Sequence, residues 1–405
     1  MREIVEKSAG NTKRADTSPL TKKTIPRLQA IDVGRGIAMT LVILVHTTWS
    51  LVRDSAGNIE RMYMPIVWIS QMATPAFLLI SGMMLGYLYH CSDEFKFAAI
   101  KQKLTKRAII LITFIHIVLN ASWAIHEGSF WMIITALAIT DIIGLTILFY
   151  IFLIQRRNLT MTSAVIVFVA SWLAARLWLP QAEFWLIVKQ VLFGPSYRQD
   201  IIIHSSFALL PLACIYHAGV VLGGKLARGV LLDRTIELAR EYASYGIILV
   251  VSAVSLHQLG KFVFPLVGLT GLDWEGALYL FQKYPPSISF ALFYSGATLI
   301  LIALLLAVEK WKGGLGVLGD FFRVFGRTSL FTFAIQAHIT LTIPSLLGIY
   351  ASLHFSQWLM LFISTFSAIW ILSYLWMRYK LKVKFSSAKP LLSHRKPIGK
   401  QAHTG

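Results

Sequence analysis

The 405 residues carry 56% apolar side chains and only 14% charged ones, with a mean hydropathy of +0.65. Soluble domains carry roughly 25% charged residues, so the composition excludes a soluble enzyme, a disordered protein, a coiled coil and a disulfide-stapled secreted domain. A net charge of +19 would suggest DNA or RNA in a soluble protein, but here the basic residues crowd the tails and alternate loops, a mark of membrane topology with no nucleic-acid partner.

An apolar stretch of about 20 residues crosses the hydrocarbon core as a helix. In chain order this length predicts ten spans, over 34–53, 64–89, 107–125, 130–153, 160–179, 201–223, 243–262, 287–308, 325–342 and 357–377, with Pro344 and Gly348 marking the break before the last. With the N-terminus inside, 31 of the 38 Lys and Arg residues fall on the inner segments. Strict alternation of that kind is hard to reach with a wrong count. The expected fold is therefore all-α, a polytopic membrane protein of about ten transmembrane helices with both termini cytoplasmic. Residues 1–33 read as a basic cytoplasmic tail without the apolar core of a signal peptide. Residues 34–377 form the membrane domain, and 378–405 a second basic tail. Basic tails attract anionic membrane lipids by about 1 kcal/mol per residue near the surface. Cys91 and Cys214 lie far apart and give neither a disulfide framework nor a metal pattern, and no internal repeat is visible.

Ionisable residues in a span are costly, so each is a functional candidate. In the first span Arg35 and His46 are eleven residues apart. Eleven helical steps bring both to one face, with His46 about 16 Å deeper. Asp32 is spaced to cap this helix and pair with Arg35. The pattern suits an arginine holding a phosphate-bearing carrier at the inner mouth and a histidine acting as a base near mid-membrane. The bland alternative is an interface arginine and a hydrogen-bonded packing histidine. Asp141 in the fourth span and His338 in the ninth are expected at similar depth. A buried aspartate needs a partner, for which a histidine is suited, and such a pair would orient an imidazole. His116 in the third span reads as a packing residue.

Two loops carry further candidates. Lys103, Lys106 and Arg107 precede the third helix, where they would grip donor phosphates or simply anchor the inner face. Lys283, Tyr284 and Ser287 flank a stiff Pro285-Pro286 entry to the eighth helix and are expected to meet an acceptor. The outer segments 180–200 and 262–286 are long enough for a partial lid.

These residues resemble the transmembrane acyltransferase superfamily, which includes the acyltransferase-3 and heparan-α-glucosaminide N-acetyltransferase-like membrane proteins. The first span, from Arg27 through Asp32, Arg35 and Gly36 to His46, resembles the opening motif of a basic residue and a histidine separated by ten residues. Phe77 through Ser81-Gly82 is similar to a Phe-x-x-x-Ser-Gly segment. Thr140-Asp141, Lys283-Tyr284-Pro285-Pro286-Ser287 and Gly326-Arg327 through His338 resemble segments of the heparan-acetyltransferase-like branch. An Arg-x-x-Arg pattern expected before the third helix appears only as Lys103-Leu-Thr-Lys106 followed by Arg107. The resemblance implies transfer of an acyl group, usually acetyl, from cytosolic acyl-CoA to a hydroxyl or amine of an extracytoplasmic carbohydrate or glycolipid. It implies His46 as base or transient acyl carrier and Arg35 as donor-positioning residue. Acyl-CoA is then a co-substrate, no cofactor or metal is needed, and the expected location is a bacterial plasma membrane. A proton-coupled permease using Asp141 and the intramembrane histidines is the competing reading.

Overall fold

The computed structural model describes residues 25–52, 63–156, 159–194, 207–267, 278–349 and 353–388. In chain order the helices are α1 (Gln29–Leu51), α2 (Met64–Ser70), α3 (Ala73–His90), α4 (Glu94–Ile110), α5 (His116–Glu127), α6 (Met132–Thr135), α7 (Ile139–Arg156), α8 (Met161–Leu177), α9 (Glu183–Phe193) and α10 (Leu209–Leu231). They continue as α11 (Thr235–Leu266), α12 (Ile288–Lys312), α13 (Gly316–Ala337), α14 (Ile343–Leu346) and α15 (Phe355–Ala388). Single π-helical stretches, Leu111–Ile115 and His338–Thr342, fuse α4 to α5 and α13 to α14. Among the described residues nine helical runs are long and apolar enough to cross a membrane, which makes the chain an all-α polytopic membrane protein. The expected span at 160–179 is the shorter α8, 17 residues long. The first part of the 201–223 span and parts of both outer segments lie outside the described residues.

Helix ends follow local chemistry. Asp93 caps α4 by accepting from Lys96 N at 2.8 Å, and Ser287 caps α12 by accepting from Phe290 N at 2.9 Å. The start of α1 is capped from another helix: Glu309 of α12 accepts from Gln29 N at 2.8 Å and Ala30 N at 2.7 Å. A carboxylate at a helix N-terminus satisfies orphan donors and opposes the positive dipole end. This is why α1 begins at Gln29, inside the stretch expected as tail. The expected span 130–153 is also broken. Residues 136–138 leave helical geometry between α6 and α7, and Asn120 Nδ2 donates to Ala136 O at 2.6 Å there. Asp141 therefore sits in the first turn of α7, not midway along a continuous helix.

Lipid offers little hydrophobic drive between helices, so close packing relies on small residues. A Cβ at Gly82 or Gly86 of α3 would strike the carbonyl oxygens of Tyr216 or Val220 of α10. The reverse holds for Gly219 and Gly223 against Leu79 and Met83. Gly36 and Gly326 let α1 and α13 approach in the same way. The result is an inner bundle of α1, α3, α10 and α13, while α11 and α15 expose apolar side chains such as Ile248, Val251, Ile363 and Ile371. Those outward faces match a lipid-facing surface.

Candidate active site

A cavity of about 480 Å³ lies among α1, α3, α4, α7 and α13. Its lining includes Arg27, Arg35, Arg107, Arg327 and Lys380, against one carboxylate, Asp32. Arg27, Arg107 and Lys380 are exposed, so the cationic end meets solvent. Phe77 and Phe333 also line the cavity, and their rings meet edge-on with centroids 5.4 Å apart. Ser81 lines the same wall.

Arg35 Nη2 donates to Ser329 Oγ of α13 at 3.0 Å, while Arg35 Nε is buried with no partner among the described residues. The expected Asp32–Arg35 pair is not the one formed. Asp32 Oδ2 instead accepts from Arg27 at 2.7 Å and lies 3.7 Å from Arg327 Nε. The reason is reach: Asp32 is buried against α13, whose Gly326 packs on its backbone. One carboxylate thus ties two cavity arginines and leaves Arg35 held by a neutral hydroxyl.

His46 lies further along α1 and is not among the residues that line the cavity. Its Nδ1 is 3.0 Å from Oε1 of Gln336, a fully buried residue of α13. Ser329, Phe333 and Gln336 follow the i, i+4, i+7 spacing of one helix face. One stripe of α13 therefore reaches Arg35, lines the cavity and reaches His46. The Lys283 ammonium sits over the rings of Tyr284 and Phe207, at 5.1 and 5.5 Å from the centroids.

Asp141 is buried, and its partner is His116, the residue taken from sequence as a packing histidine. His116 Nδ1 lies 2.9 Å from Asp141 Oδ2, which also accepts from Ala138 N at 2.8 Å. His116 directly follows the first π-helical stretch, a feature that often marks functional positions. Next to Asp141, the Thr140 hydroxyl is buried, lines the cavity and has no partner among the described residues. His338 stands apart from this pair, with Nδ1 3.1 Å from Thr342 Oγ1 in its own π-helical stretch.

The remaining candidates divide by geometry. Leu104, Arg107 and Leu111 form the stripe that faces the cavity, whereas Lys103 and Lys106 are exposed outside that arc. Ser287 is fully buried, and its hydroxyl is committed to capping α12 and to donating to Tyr279 O at 2.6 Å. Arg27, Arg327, Ser329 and Gln336 line or support the site without having been singled out by spacing. Of these, Ser329 and Gln336 share the i, i+4, i+7 register with Phe333 along α13, a signal the sequence did carry.

The family model described as heparan-alpha-glucosaminide N-acetyltransferase, catalytic, matches residues 27–259, well over half of the chain. The chain belongs to this family. As a heparan-alpha-glucosaminide N-acetyltransferase family member that crosses the membrane repeatedly, it is a membrane-bound acyltransferase, which displaces the permease reading. The matched stretch holds Arg35, His46 and Asp141, whereas Lys283, Gln336 and His338 lie beyond it. No curated protein matches the chain.

Proposed function

We propose that the chain transfers an acyl group, most simply acetyl, from cytosolic acyl-CoA to an amine or hydroxyl of an extracytoplasmic glycan or glycolipid, in a bacterial plasma membrane. The observation that carries this reading is the polarity of α1. It sets Arg35 in a cationic, solvent-reaching cavity and His46 eleven residues onward, about 16 Å along the helix. Arginines hold phosphates through forked donors, so Arg27, Arg35, Arg107 and Arg327 would take the phosphates of the donor. The orphaned Thr140 hydroxyl would serve its amide-bearing arm. The thioester would pass the Phe77–Phe333 pair as those rings part, and reach His46.

At His46 the nucleophilic nitrogen or oxygen of the acceptor forms a bond to the thioester carbonyl carbon. The imidazole takes the acceptor proton, the carbon–sulfur bond breaks, and the departing sulfur receives that proton as free thiol. Lys283 and Tyr284 would orient the acceptor from the other side. Asp141 acts at one remove in this scheme, fixing the break before α7 through His116 and Ala138 N and so setting Thr140 in the cavity wall. Lys103, Lys106, Ser287 and His338 enter no step.

Purified protein in detergent, given labelled acetyl-CoA and a glucosaminide, is expected to release CoA and label the acceptor in equal amounts. Label retained on the protein would make His46 an acyl carrier instead of a base. The absence of both CoA release and label would contradict the proposal.

A further inference from the structure

Among the described residues that line the cavity, five are cations and one, Asp32, is a carboxylate. Asp32 Oδ2 accepts from Arg27 Nε at 2.7 Å and lies 2.7 Å from Arg27 Nη2. Two neighbouring nitrogens of one guanidinium therefore converge on a single oxygen. That edge is the fork with which an arginine grips a phosphate, so a donor phosphate and Asp32 compete for the same N–H groups. The two partners differ in freedom. The Asp32 side chain is 5% exposed and that of Arg27 60%, so Arg27 is the member that can leave. The backbone on either side of it is tied: Tyr87 Oη donates to Pro26 O at 2.8 Å, and Glu309 accepts from Gln29 N and Ala30 N. Movement is thus confined to the Arg27 side chain. A buried carboxylate left without a cation is strongly destabilising, and here a second cation stands by. Arg327 Nε lies 3.7 Å from the same oxygen, just beyond hydrogen-bond length, where the close approach of α1 and α13 at Gly326 sets it. Pairing through Nε leaves the terminal nitrogens of Arg327 for a donor.

We infer that Asp32 is a built-in competitor of the donor phosphates, which holds the Arg27 fork while the cavity is empty and passes to Arg327 when a phosphate takes Arg27. The inference rests on the cavity being the donor site of the proposed acyl transfer. Free CoA carries the same phosphates as acyl-CoA, so a cluster of cations with no counter-ion would hold product as firmly as substrate. Binding of that uniform kind does nothing for turnover. A carboxylate that reclaims Arg27 offsets part of the attraction and favours release. It also sets a threshold. Every anion that uses Arg27 must first break an ion pair already made, and a single phosphate has few other contacts to offset that loss. A donor with several phosphates reaches Arg35, Arg107 and the free nitrogens of Arg327 as well.

Equilibrium binding of CoA to the full-length protein in detergent, at fixed ionic strength, tests this. Asp32→Asn keeps the shape of the side chain and removes its charge. The variant is expected to bind CoA about 10-fold more tightly, the effect of removing one repulsive charge at partly screened range, with the gain shrinking as salt is raised. A carboxylate that merely braced the start of α1 would give the opposite, weaker binding. Unchanged or weaker CoA binding by folded Asp32→Asn would overturn the inference. Should that variant fail to fold, the pair can be removed together in Arg27→Met/Asp32→Leu, since exchanging a buried ion pair for apolar groups of similar volume is often neutral. The double variant is expected to bind CoA about 10-fold more tightly than Arg27→Met alone, and equal or weaker binding would again overturn the inference. Wild-type protein that binds no CoA would instead overturn the donor reading beneath it, so the two failures are distinguishable.

Discussion

Arg35 and His46 share one face of α1 but meet opposite surroundings. Arg35 opens onto a cavity with four other cations and gives one hydrogen bond to a hydroxyl, leaving Nε available. A planar fork of that kind is not reproduced by a lysine point charge. Arg35→Lys is therefore expected to raise KM for acyl-CoA by roughly 10-fold or more, the worth of one charge-assisted hydrogen bond, with a smaller change in kcat. Steady-state kinetics at varied acyl-CoA check this, and an unchanged KM would remove Arg35 from donor binding. The Arg35–His46 spacing was legible because it follows from helical geometry alone. The partners of Asp32 were not: Arg27, just before α1, makes the closer contact, and Arg327 comes near only through the α1–α13 packing. Likewise His116 gained its role from a break in helical geometry at 136–138 that an apolar run without Pro or Gly does not signal.

At the scale of elements, α13 is the member that organises the site. Its Ser329 and Gln336 reach Arg35 and His46 of α1, and Phe333 between them meets Phe77 of α3. Phe333→Ala would remove one ring of that pair and enlarge the cavity it lines. Activity with a longer acyl-CoA relative to acetyl-CoA is expected to rise several-fold, while the protein loses about 3–5 kcal/mol of stability. Competition between acyl donors of different length measures the first effect, and an unaltered preference would show that the pair does not set access. The α3–α10 contact supplies the rigid wall opposite. Gly82→Leu must push α3 off the Tyr216 carbonyl, at a cost of about 1–3 kcal/mol or more for overpacking, visible as a lower melting temperature in detergent. The existence of these helices was readable from apolar length. Their ends were less so: α1 starts early because Glu309 reaches it from α12, and α4 runs without a break through Leu111–Ile115 into α5.

Across the whole molecule, basic residues and depth of burial share one axis. Arg27, Arg107, Arg327 and Lys380 all line the one cavity. Polytopic, all-helical architecture followed from composition, since 14% charge in 405 residues leaves no soluble alternative. The chemistry followed from the family match over residues 27–259. Geometry adds a cation-lined cavity at Arg35 and a histidine further along the same helix, outside that lining. The sharpest test is transfer by His46→Ala protein reconstituted in sealed vesicles with labelled acetyl-CoA on the side of the cationic mouth. The account predicts correctly folded protein that still binds acetyl-CoA, with transfer reduced by about 100- to 10,000-fold, the range for loss of a general base. Transfer at the wild-type rate would contradict it.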